Sequence, residues 1–110
     1  MISIIIATKN RPVHLKRCIR SIGKNSYKNF EIIIADQSSD EKTKRLIKAY
    51  ANPKITYIRL SNSGKTKAVN QAIQSSRGEI LSFIDDDNIV NPEWLRVINA
   101  YFSKNPKTDG

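Results

Sequence analysis

The sequence predicts an α/β fold, a Rossmann-like parallel sheet with helices on both faces. Four short runs rich in β-branched residues recur along the chain, each is followed by apolar residues at helical spacing, and Gly, Pro or Asn punctuates the junctions. Alternating units of this kind build a mostly parallel sheet covered on both faces. Right-handed crossovers then bring the carboxyl ends of all strands to one edge, where open α/β sheets bind ligands.

The first strand is read at residues 2–7, Ile-Ser-Ile-Ile-Ile-Ala. Pro12 suits the first turn of a helix, Leu15, Cys18, Ile19 and Ile22 give it an apolar face, and Gly23 stops it. Residues 30–35 form the second strand, after which Ser39 or Asp40 can cap a helix that carries Leu46, Ile47 and Tyr50 inward. Asn52-Pro53 ends that helix, and residues 55–60 form the third strand. Asn62-Ser63-Gly64 reads as a turn before a helix with Ala68, Val69, Ala72 and Ile73 on one face, ending near Gly78. Residues 79–84 form the fourth strand, and Asn91-Pro92-Glu93 opens a last helix with a core stripe of Trp94, Leu95, Ile98, Tyr101 and Phe102.

A chain of 110 residues suits one domain, spanning 1–110, and 39% hydrophobic content argues against wholesale disorder. No apolar run approaches the roughly 20 residues that cross a bilayer, and Met1 to Ile6 lacks the basic start of a signal peptide. The single cysteine, Cys18, has no internal disulfide partner and reads as a buried structural thiol. The expected location is the cytoplasm. A net charge of +9 favours anionic partners, phosphates or an acidic membrane surface, and allows peripheral contact with the inner face of a membrane. The cations are spread as on a solvated surface, with mild clusters at Lys42-Lys44-Arg45-Lys48 and Lys65-Lys67. No basic stripe interleaved with aromatics appears, so nucleic acid is not an expected partner.

The strand ends carry the chemistry. Thr8, Lys9, Asn10 and Arg11 follow the first strand, Asp36, Gln37, Ser38 and Ser39 the second, Ser61 to Lys65 the third, and Asp85, Asp86, Asp87 and Asn88 the fourth. Three adjacent carboxylates repel one another, and a divalent cation would relieve them. Mn²⁺ or Mg²⁺ takes oxygen ligands, commonly one or two carboxylates plus substrate phosphates. On an extended segment Asp85 and Asp87 turn to one side and Asp86 to the other. Read instead as a solvated turn, the run would cap the following helix. Asp36 reads either as a turn residue or as an acceptor for a base or ribose. Ser63-Gly64-Lys65-Thr66 is too short for a phosphate loop, because Arg59 stands where its first glycine would be. GxGxxG is absent, and His14 reads as a surface residue of a helix's first turn.

Taken together, Ile4 to Arg11, Phe30 to Asp36, Asn62-Ser63-Gly64 with Ala68 and Asn70, and Gly78-Glu79-Ile80 leading into Phe83-Ile84-Asp85-Asp86-Asp87 resemble family 2 glycosyltransferases of the GT-A fold. The resemblance implies transfer of a sugar, with inversion, from a nucleotide-diphosphate sugar, a UDP-sugar, to a saccharide or lipid-linked acceptor. Asp85 and Asp87 match the outer aspartates of the DxD motif and would bind the metal, Asp87 more directly. Ala7, Thr8, Lys9, Asn10, Arg11, Asp36, Gln37, Lys65, Asp85 and Asp86 would contact the donor. Lys9 stands where the family often has an aromatic, and Gln37 where it often has a second acid or Asn. Family members continue beyond the acidic run into a part that supplies the acceptor site and the base. The resemblance thus casts this chain as a donor-binding half with no catalytic base of its own.

The alternative is a non-catalytic nucleotide- or metal-binding regulatory module of receiver type. Such a module takes acids after its first strand, where this chain has Thr8-Lys9. A doubly wound strand order of 3-2-1-4 would leave residues 79–84 at an edge, open to pairing with a second copy.

Overall fold

The computed structural model describes residues 1–60 and 65–104, without the side chains of Lys65, Thr66 and Ala68. The elements alternate as expected: β1 (Ile2–Thr8), α1 (Pro12–Gly23), β2 (Phe30–Asp36), α2 (Lys42–Tyr50), β3 (Ile55–Arg59), α3 (Lys65–Ser75), β4 (Ile80–Asp85) and α4 (Trp94–Lys104). The expected turn at Asn62-Ser63-Gly64 lies outside the described residues. All pairings are parallel, and the strand order is β3-β2-β1-β4.

The two central strands explain why the sequence folds this way. β1 and β2 are Ile runs with side chains buried on both faces, as a covered parallel sheet requires. Ile2, Ile4, Ile6, Ile32 and Ile34 meet Leu15, Cys18, Ile19 and Ile22 of α1, Ile47 of α2 and Leu95 of α4. Ile5, Ile33 and Ala35 point the other way, toward Ala72 of α3. Three helices therefore cover one face and α3 the other. Each fully buried Ile is worth about 1.5–3 kcal/mol of hydrophobic stabilisation, so these central strands anchor the fold.

Parallel register sets the functional edge. Thr8 pairs with Asp36, Asp36 with Arg59, and Ala7 with Asp85. The strand ends thus lie side by side before any loop is considered.

Some local readings need correction. α2 starts at Lys42 after Glu41 with no side-chain cap at that position. Of the two expected caps, Asp40 does accept the Lys42 amide, whereas the Ser39 amide and hydroxyl turn to Asn10. Tyr101 is not core: it is 51% exposed, and its ring meets Phe102 edge-on. Only Leu95 of α4 is fully buried, with Trp94 and Ile98 partly so, because the apolar stripe is wider than the surface it packs on. Ile73 is only partly covered, at 37% exposed, and α3 ends at Ser75 rather than near Gly78. Cys18 is fully buried and His14 exposed, as read.

The amino-terminal end of the sheet is closed by a buried polar network that the sequence did not announce. Glu31 accepts the Ser3 hydroxyl at 2.6 Å and the Arg77 amide at 2.7 Å, and Gly78 N donates to Ser3 Oγ at 2.8 Å. It lies opposite the functional edge and holds β1, β2 and the entry to β4 in register.

Candidate functional site

The acidic run is a turn. β4 ends at Asp85, and Asn88 N donates to the Asp85 carbonyl at 3.1 Å, closing the chain over Asp86 and Asp87. Of the two readings of this run, extended segment and turn, the backbone after Asp85 takes the turn, yet Asp86 still faces away from its neighbours. Asp85 is exposed, Asp87 is half exposed, and Asp86 is buried. The Asp86 carboxylate accepts the Thr8 hydroxyl at 2.8 Å and Arg11 Nη1 at 3.3 Å. Arg11 Nη1 also stands 4.0 Å from Asp87 Oδ2, so one guanidinium bridges two neighbouring carboxylates and offsets their repulsion. Thr8 and Asp86, both expected to touch a donor, bond to each other and tie β1 to the β4 turn.

Beneath the turn, Cys18 Sγ lies 3.7 Å from the Asp85 carbonyl. Burial first, then the negative charges of Asp86 and Asp87, push this thiol up to about 12. Its place is in the packed core.

Asp36 is likewise turned inward and fully buried. Its Oδ1 accepts the Ser38 amide at 2.9 Å and the Ser38 hydroxyl at 2.5 Å, and its Oδ2 accepts the Tyr57 hydroxyl at 2.5 Å. Burial and this carboxylate raise the Tyr57 phenol above its ordinary range, so it stays a donor. These bonds make Asp36, expected to contact the nucleoside, fix the loop after β2. Gln37 follows it, half-buried, with its amide on the Thr8 carbonyl at 3.0 Å.

The β1 loop and the β2 loop are stitched together. Asn10 takes a left-handed backbone, φ 56°, which Asn tolerates better than most residues. Its amide donates to Ser38 Oγ at 2.8 Å, and its side-chain oxygen accepts the Ser39 amide at 3.0 Å. Arg59, read from sequence only as a strand residue, clamps the same loop. It donates to the carbonyls of Ser38 and Asp40, both at 3.0 Å, and pairs with Glu41 at 3.0 Å. Nothing in the sequence near Arg59 signals this, because its partners lie about twenty positions away.

The result is a rigid edge whose wall is made by Thr8, Asp36 and Asp86. Lys9, Asn10, Arg11, Asp85 and Asp87 are exposed, with Gln37 partly so. Ala7 lines a small groove of about 170 Å³ with Val69, Phe83, Asp85 and Asn88. Lys65 begins α3, but its side chain lies outside the described residues. Among the described residues no three His, Cys, Asp or Glu side chains form a preformed metal cage. Asp85 and Asp87 supply hard oxygen donors, which suit a site that a cation shares with substrate phosphates rather than one that is closed by protein alone.

A family model described as Glycosyl transferase family 2 matches residues 3–109. The chain belongs to that family. The curated relatives include an Escherichia coli K12 protein named as a colanic acid biosynthesis glycosyl transferase, WcaA, 38% identical over 104 residues, which cover 92% of this chain and 37% of that one. Staphylococcus aureus TarS 1-349, solved in complex with UDP-GlcNAc, superposes with a TM-score of 0.83 at 26% identity over 94% of this chain and 31% of its own. A mannosyltransferase from Pyrobaculum calidifontis, solved with GDP-Man and Mn²⁺, also gives a TM-score of 0.83, at 21% identity over 93% of this chain and 32% of its own. That last likeness concerns the fold alone. The strand order and helix placement are those of GT-A glycosyltransferases. The chain spans about a third of the length of these three proteins.

Proposed function

We propose that this glycosyltransferase chain is the donor-binding part of an enzyme that transfers a sugar, with inversion, from a UDP-sugar to an acceptor hydroxyl. The carrying observation is the division of labour at the edge. Asp86 is buried on Thr8 and Arg11, which leaves Asp85 and Asp87 exposed beside Lys9, Asn10, Arg11 and Gln37. A diphosphate with its cation fits such a set. A family relative solved with UDP-GlcNAc supports a uridine nucleotide.

Asp85 and Asp87 would hold Mn²⁺ or Mg²⁺, which when bound neutralises charge on the diphosphate leaving group. The chain's own residues do the remaining work. Lys9 and Arg11 place positive charge where the diphosphate lies. Gln37 offers both a donor and an acceptor to the base edge. Asp36, Ser38, Tyr57, Asn10 and Arg59 keep the two loops from rearranging, so little ordering cost falls on binding. No residue of this chain is assigned as the base that deprotonates the acceptor.

Thermal unfolding with UDP, GDP or dTDP, each with and without Mn²⁺, tests the reading on wild type and Asp87→Ala. Ligand at a hundred times its dissociation constant adds about 2.7 kcal/mol. A manganese-dependent shift with UDP that Asp87→Ala abolishes is the expected result. An equal shift in the variant would remove Asp87 from the metal site, and no shift with any nucleotide would overturn donor binding by this chain.

A further inference from the structure

The outward stripe of α1 carries Val13, Arg17, Arg20 and, just past its end, Lys24, all exposed and spaced at i, i+4, i+7 and i+11. Alongside runs the loop from β4 to α4. Val90 N donates to Ser21 Oγ at 3.1 Å, and Ser26 N to the Pro92 carbonyl at 2.9 Å. Between helix and loop lies a groove of about 280 Å³, lined by Arg17, Arg20, Lys24, Ile89, Val90 and Pro92. Ile89 stands 65% exposed on its rim.

Two features bear on what this groove could bind. None of its three cations has a carboxylate partner among the described residues. The acids of the adjoining loop are engaged elsewhere, Asp86 and Asp87 with Arg11 and Glu93 with Arg96. Cations near a helix carboxyl end favour its dipole, which accounts for Arg20 and Lys24. It accounts for neither Arg17 in mid-helix nor a large aliphatic side chain held in water beside them.

We propose that this groove is a docking surface for an anionic phospholipid bilayer, with Arg17, Arg20 and Lys24 on lipid phosphates and Ile89 entering the headgroup layer. Interfacial binding combines buried apolar area with attraction to anionic lipid, and this patch offers both within one groove. A soluble polyanion would use the three cations but gives Ile89 nothing to do. The loop that carries Ile89 begins at the Asp85–Asp87 turn, so the surface in contact with lipid is continuous with the donor edge.

Co-sedimentation with vesicles of phosphatidylcholine and phosphatidylglycerol, against phosphatidylcholine alone, tests this on the 110-residue chain. Each basic side chain near an anionic surface is worth about fivefold in binding. Arg17→Glu with Arg20→Glu should therefore weaken binding about twenty-five-fold or more. Lys44→Glu with Lys48→Glu on α2 makes the same charge change away from the groove and should weaken it far less. Ile89→Ser should weaken binding with charge unchanged, and thermal melts confirm that all variants fold. Absence of binding, equal loss in the two double variants, or no effect of Ile89→Ser would overturn the proposal. So would heparin binding that depends on Arg17 and Arg20 without any vesicle binding, which would assign the groove to a soluble polyanion.

Discussion

The Thr8 hydroxyl donates to the buried Asp86 carboxylate at 2.8 Å, joining the ends of two adjacent strands that lie 78 positions apart in sequence. A buried carboxylate that loses a donor keeps its desolvation cost. Thr8→Val keeps the shape and removes the donor, so it should destabilise by about 1–3 kcal/mol. Urea denaturation measures this, and a loss near zero would mean that water reaches Asp86 and replaces the hydroxyl.

Glu31 makes stability pH-dependent. Its burial favours the neutral form, but the Ser3 hydroxyl and the Arg77 amide and guanidinium outweigh burial and hold it below the ordinary 4.5. A carboxylate depressed on folding contributes stability above its unfolded value and loses it as pH falls through the folded value. Glu31→Gln should therefore be less stable than wild type at neutral pH, and the gap should close below about pH 4.5. Denaturation midpoints between pH 7 and 3 would show it, and a gap that does not vary with pH would rule out the charged network as its source.

Two glycines should respond oppositely to alanine. A Cβ at Gly78 would lie 2.6 Å from the Met1 carbonyl and 2.8 Å from Ser3 N, both backbone atoms of β1 or its start. Gly78→Ala must push β1 and the start of β4 apart, at a cost of about 1–3 kcal/mol. At Gly23 nothing lies within 4 Å and the backbone φ is not positive. Gly23→Ala should stabilise by about 0.4–1 kcal/mol through the unfolded chain. Paired thermal melts decide both, and a destabilised Gly23→Ala would mean that the helix end needs glycine.

The fold was legible because its signals are local. Ile runs, helical spacing and breakers lie within a few residues of one another, and the strand order is that of the doubly wound pattern such units commonly build. The site was legible as an edge and as an acidic run. Its inner organisation was not, because it depends on partners far apart in sequence. The bonds that Tyr57 and Ser38 make to Asp36 could not be read from sequence. Asp86 looks equivalent to its neighbours until Thr8 and Arg11 turn it inward. Arg59 and Glu31 look like ordinary strand residues, and only the folded chain shows what they hold. Tyr101 continues a helical stripe in sequence, but the folded chain leaves it half exposed.

Strand β4 is at the sheet edge, as the strand order required, and Phe83 on it is 49% exposed. An open edge bearing an aromatic invites pairing with another strand of the same kind. The chain should therefore self-associate, its mass by light scattering rising with concentration. Phe83→Lys puts a charge on the exposed edge strand and should hold the mass at that of one copy. A wild type that stays monomeric over the whole range would show that twist or the neighbouring loop already shields this edge. Association that persists in Phe83→Lys would move the contact to another surface, such as the exposed Val97 and Tyr101 of α4.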